Sequence, residues 1–176
     1  TAAAAMTWIA YEKKRDGKAT TLGVASGAIA GAVAITPACG FLNPMGALVL
    51  GLIAGVASAW AVTRKYKFGY DDSLDVVGVH LVGGVWGSLA VGFFGTQVVN
   101  SVGVDGLFYG GGFELLGKQA LGVGVVAIYS FVVTLILGFI IEKTIGFRVK
   151  AEDEVDGIDL SEHAESAYEM SSSSRG

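Results

Sequence analysis

A chain of 176 residues with 52% hydrophobic side chains, 16% charged side chains and 27 glycines falls well below the roughly 25% charged content of soluble domains. That deficit excludes a soluble globular domain, and a net charge of −4 leaves no basic surface for a nucleic acid to bind. The single cysteine, Cys39, excludes an internal disulfide.

The first twelve residues are apolar but too few to cross a hydrocarbon core. They read as the end of a helix cut by the start of the chain, and no secretory-signal pattern is present. From Ala19 to Thr63 no side chain is charged. A run of that length cannot be one membrane helix. Thr36-Pro37-Ala38-Cys39-Gly40 and Asn43-Pro44 are its natural breaks, because proline and glycine mark turns, and the division predicts helices over 20–35 and 45–63. Val76 to Val104 is charge-free apart from His80, and Gln119 to Ile141 is entirely so, which predicts helices over 72–94 and 118–143. The expected fold is all-α, a polytopic membrane helix bundle. Residues 1–149 are expected to form the transmembrane domain, with one partial and four complete helices, and residues 150–176 an acidic tail.

Basic residues set the expected orientation. Lys13, Lys14, Arg15 and Lys18 follow the first helix, Arg64, Lys65 and Lys67 follow the third, and Lys143, Arg148, Lys150 and Arg175 follow the last. Lys118 alone falls on the opposite side. Eleven of twelve positive charges on one side predict, by the positive-inside rule, a multi-pass protein of the cell membrane with a cytoplasmic C-terminus. Gly23, Gly27 and Gly31, then Gly51 and Gly55, then Gly83 and Gly87 recur every four residues, the spacing that lets membrane helices approach closely.

His80 is the polar exception. Counted from a helix start near Asp71-Asp72, it lies about 12 Å deep at 1.5 Å per residue, close to the midplane of a core about 30 Å thick. Ionisable groups at such depth face a cavity or the bundle interior. No acidic neighbour offsets the desolvation of an imidazolium, so a neutral ring is expected. A structural histidine bonded to a serine or a carbonyl fits the same residues. Asp71, Asp72 and Asp75 read as helix-start residues that cap free amides and complement the helix dipole. The tail, with acids from Glu152 to Glu169 and weak apolar periodicity, reads by composition as solvated and partly disordered. No nucleophile motif, P-loop or metal-ligand cluster appears, so neither catalysis nor a metal or cofactor is expected.

Asp71-Asp72-Ser73-Leu74-Asp75-Val76-Val77-Gly78-Val79-His80-Leu81-Val82-Gly83-Gly84 resembles the signature of the ammonium transporter family (Amt, Mep and Rh proteins), its bacterial Amt branch above all. So do Leu22 to Gly31, Ile35 to Gly40, Gly146-Phe147-Arg148-Val149 and Gly157 to Tyr168. The resemblance implies the C-terminal half of an eleven-helix subunit built from inverted repeats, assembled as a homotrimer. It implies that His80 is one of two pore histidines, that Thr36 and Val76 line the pore, and that the partner histidine and the outer gate lie in the other half. It also implies that the tail, with Arg148, Gly157, Asp159 and Tyr168, packs under the subunit and helps recruit a PII-type signalling protein.

These implications yield a mechanism. An intact cation is costly to move through an apolar pore. Ammonium would therefore shed its proton at the outer mouth, and ammonia would pass the histidines, the proton following separately or not at all. A nitrogen-sensing scaffold and a channel for small neutral solutes are the alternative functions.

Overall fold

Ala2–Asp16 form the first helix, α1. It runs four residues past the expected boundary, because Lys and Arg are good helix formers and favour the carbonyl end. Gly17, at φ 78°, ends it in the left-handed conformation with its N–H on the Lys13 carbonyl. The Thr20 hydroxyl caps α2 (Thr21–Ile35), accepting from the Gly23 amide at 2.9 Å. Asn43 caps α3 (Pro44–Val62) through its side chain, with proline in the first turn. A short helix α4 (Arg64–Phe68) comes next. A π-turn over Val77–Leu81 leads into α5 (Val82–Phe94), and a 3-10 turn at Leu107–Tyr109 precedes α6 (Glu114–Thr144). Two short helices end the regular structure, α7 (Ala151–Asp156) and α8 (Ile158–His163).

This computed structural model describes residues 1–165. It divides into two units, Thr1–Val126 and Ala127–Gly176, the division falling inside α6. In the first unit α2 and α3 each touch both α1 and α5. Alanine dominates the core. One cluster joins Ala34, Ala38, Leu42, Leu50, Ala54, Ala90 and Val91, and another joins Trp8, Ala30, Ala59 and Val79. Two glycines show how close the backbones come. A Cβ on Gly31 would lie 2.7 Å from the Ala4 Cβ, and one on Gly87 would lie 2.8 Å from the Ala34 carbonyl carbon. Any larger residue there forces the helices apart.

Register is set by the same contacts. Gly83 lies beside Ala30 and Val33 while Gly87 lies beside Ala34, so α5 runs parallel to α2. Gly78 lies against Val62, and the Trp86 indole N–H donates to the Leu50 carbonyl at 3.0 Å, so α3 runs antiparallel to both. The segment after α5 is tied back by Thr96 N–H to the Phe41 carbonyl (2.9 Å), Gly106 N–H to the Gly95 carbonyl (2.8 Å) and the Asn43 amide to the Tyr109 hydroxyl (2.6 Å).

Among the described residues, Pro44–Phe68, Val77–Phe94 and Glu114–Thr144 are long and apolar enough to cross a membrane. The first of the four expected complete spans, α2, has 15 residues and is about 22 Å long. It stops at Ile35 because Thr36-Pro37 turns the chain. In the second unit the tail is not structureless through Glu165: it forms α7 and α8, separated by Gly157 at φ 102°.

Candidate functional site

The expected helix over 72–94 starts later. Tyr70 to Asp75 is irregular, and the helical run begins at Val76. The three aspartates part company here. Asp72 caps, its two carboxylate oxygens accepting the Val76 amide at 2.8 Å and the Val77 amide at 2.9 Å. Asp75 sits at φ 57°, a left-handed conformation uncommon outside glycine, and its carboxylate pairs with Lys65 Nζ at 2.6 Å. Lys65 also donates to the Asp72 carbonyl at 2.8 Å. Asp71 accepts from the Ser73 hydroxyl at 3.3 Å. His80 is four residues from Val76, about 6 Å along the helix from where the regular structure begins.

The Val77–Leu81 segment is a π-turn, a form that recurs at functional sites. Its inner face is clamped. Gly78 leaves no room for a Cβ beside the Val62 backbone, and Val79, 4% exposed, packs with Trp8, Ala30 and Ala59. His80 is thereby turned outward, in an exposed row with Val76, Val77 and Leu81. The burial expected of it is not supplied by the described helices, and its imidazole makes no hydrogen bond to a described residue. An apolar strip carrying one imidazole can offer a passing solute one donor or one acceptor.

Thr36 does not meet His80. It caps α2, its hydroxyl donating to the Ala32 carbonyl at 2.7 Å, and it is exposed. Because Gly87 packs on Ala34, Thr36 lies level with the stretch just after Gly87, roughly 13 Å along the axis from His80. Val76 lies one turn before His80 on the same exposed strip.

In the second unit, Arg148 pairs with Glu154 at 3.1 Å, and the Phe147 amide donates to the Glu142 carboxylate at 3.0 Å. Gly157 separates α7 from α8, whose first turn holds Asp159. Tyr168 lies outside the described residues.

Two features have no counterpart among the sequence expectations. Lys65 counts there only as an orientation charge, yet its side chain is only 14% exposed; its partner is ten residues away, with no periodicity to announce it. Phe93, Phe94 and Phe108 cluster with Trp86 at centroid distances of 5.2–6.3 Å. The Phe93-Phe94 pair closing α5 is the one signal of it in the sequence.

A bundle of apolar helices joined through glycine and alanine, three of them long enough to span a bilayer, defines a multi-pass membrane protein. Residues 1–168 match the model of the Ammonium Transporter Family, and the chain belongs to that family, one of transporters rather than enzymes. The ammonium transporter of Mycobacterium tuberculosis (strain ATCC 25618 / H37Rv) is 57% identical over 175 residues, 97% of this chain and 37% of that protein. That of Bacillus subtilis (strain 168) is 45% identical over 165 residues, 93% of this chain and 41% of that one. The crystal structure of Saccharomyces cerevisiae Mep2 aligns with a TM-score of 0.79 at 33% identity, over 86% of this chain and 35% of Mep2. A sensor Amt protein aligns with a TM-score of 0.79 at 28% identity, over 92% of this chain and 39% of that one. The chain thus spans well under half the length of these relatives.

Proposed function

We propose that the protein containing this chain carries ammonium or ammonia across the cell membrane, through an apolar pore lined by His80. The observation that carries the reading is the π-turn, which clamps Gly78 and Val79 inward and presents His80 on an otherwise apolar strip. That His80 lies near the midplane of the membrane is part of this proposal. Ammonium would lose its proton before the apolar stretch, since a buried cation without a carboxylate is costly. Ammonia would then exchange hydrogen bonds with the imidazole, and the proton would return by a separate route. Val76 lines the same strip. Thr36 lines a different level of the path, nearer its far end.

The test is uptake by vesicles holding the full-length protein. His80→Ala should abolish saturable ammonium uptake while the assembled protein keeps its oligomeric size, and normal uptake would remove His80 from the mechanism. The same preparation tests the expected homotrimer by native mass spectrometry. A cytoplasmic C-terminus predicts that a cysteine at Lys150 is labelled only from the inner face. A second reading, nitrogen sensing with the tail recruiting a PII-type protein, draws support from the likeness to a sensor Amt protein. Truncation after Lys150 tests it: a recruiting tail should lose the signalling partner and lower uptake while the membrane fold stays intact.

A further inference from the structure

The Lys65–Asp75 pair takes no part in the proposed pathway, yet it sits at the root of the π-turn. Lys65 Nζ reaches the Asp75 carboxylate at 2.6 Å and the Asp72 carbonyl at 2.8 Å. Both acceptors belong to residues that hold the turn. The Asp72 carboxylate takes the Val76 and Val77 amides, and the Asp75 carbonyl takes the Val79 amide at 2.8 Å. One cation on α4 therefore ties together both anchors of the segment that carries His80. Asp75 keeps φ 57°, a left-handed conformation that aspartate and asparagine adopt more readily than other non-glycine residues.

The register of this segment matters for where His80 points. A π-turn accommodates one residue more than the α-helical pattern, and one residue of an α-helix is about 100° of rotation. Relaxation to α-helical register would turn the side chains before the bulge relative to α5. Gly78 and Val79 pack inward in the π register, and the anchors that hold that register lie upstream, where Lys65 acts. We infer that the Lys65–Asp75 ion pair, with the Asp72 cap, locks the π register and so aims His80. Lys65 and Asp75 are positioning residues for the pathway, an inference that rests on His80 lining it.

The experiment uses the full-length protein in lipid vesicles. Asp75→Asn removes the charge but keeps a residue type that tolerates positive φ, and Lys65→Met removes the cation but keeps an apolar stem. Both should speed amide hydrogen exchange across Val77–Leu81 by about fivefold, the scale of a modest ion pair, and leave exchange across Leu50–Ala59 of α3 unchanged. Both should lower the maximal rate of ammonium uptake without moving the half-saturating concentration, and Lys65→Arg should restore both readouts. Unchanged exchange over Val77–Leu81 overturns the inference. So does a uniform rise across α3 and α5, which would make the pair a general stabiliser. If Lys65→Met fails to assemble, Asp75→Asn and Lys65→Arg carry the same comparison. His80→Ala run in parallel keeps the readings apart: normal uptake there defeats the pathway, while the exchange data still decide whether the pair holds the turn.

Discussion

Helices α3 and α5 pack through small residues in the same unit, yet they begin in opposite ways. α3 starts on adjacent residues: Asn43 accepts the Gly46 amide at 2.8 Å and Pro44 supplies a preset φ. α5 starts on an assembly of Asp72, a left-handed Asp75 and a lysine from another helix. A start made by neighbours in sequence can be read from the sequence. A start made by a lysine ten residues upstream cannot, and there the turn is free to take the π form.

The largest expected effect lies at the assembled start. Asp72→Ala removes the acceptor of two amides, so the loss should reach the upper end of capping energies, about 2 kcal/mol. Denaturant unfolding of the full-length protein, with hydrogen exchange over 76–79, measures it. A loss no greater than that of Asn43→Ala would erase the distinction between the two starts.

Asn43→Ala should cost less, about 1 kcal/mol, because one amide loses its partner. Asn43→Asp should retain most of it, since aspartate caps equally well. Asn43 also donates to the Tyr109 hydroxyl, so Tyr109→Phe is the control that isolates the cap. If Tyr109→Phe accounts for the whole loss, α3 too depends on a distant partner.

The same division explains what is legible in the sequence. The breaks at Pro37 and Asn43-Pro44 place α2 and α3 within a residue or so, because proline and asparagine act on the backbone next to them. Charge is a poorer guide to helix ends. Lys13 to Asp16 and Glu114 to Gly117 look like loops by charge, but both are helical, since residues outside the apolar run still form helix readily. His80 stands out in the sequence as the polar residue of its apolar stretch. Counting from the aspartates places the helix start too early, because a line of aspartates looks like a helix start whether or not the backbone between them is helical. The π-turn and the Lys65 bridge leave no local trace.

The smallest expected effect belongs to the third start, that of α6. Glu114 stands in its first turn, where a carboxylate complements the dipole, and pairs with Lys118 at 2.6 Å one turn on. It resembles a start made by a local signal, as in α3. Exposure decides otherwise. The two side chains are 77% and 69% exposed, where salt screens the attraction and ordering two long chains offsets it. What holds this turn is Leu115 and Leu116. Leu115 packs on the core cluster, and Leu116 lies so close to Gly92 of α5 that a Cβ there would come within 2.6 Å of its Cα. Glu114→Gln should therefore leave the melting temperature and the exchange rates over 114–120 unchanged at physiological salt, with any difference confined to low ionic strength. A drop matching that of Asn43→Ala would show that the exposed pair acts as a cap, and that packing by the two leucines does not suffice to begin α6.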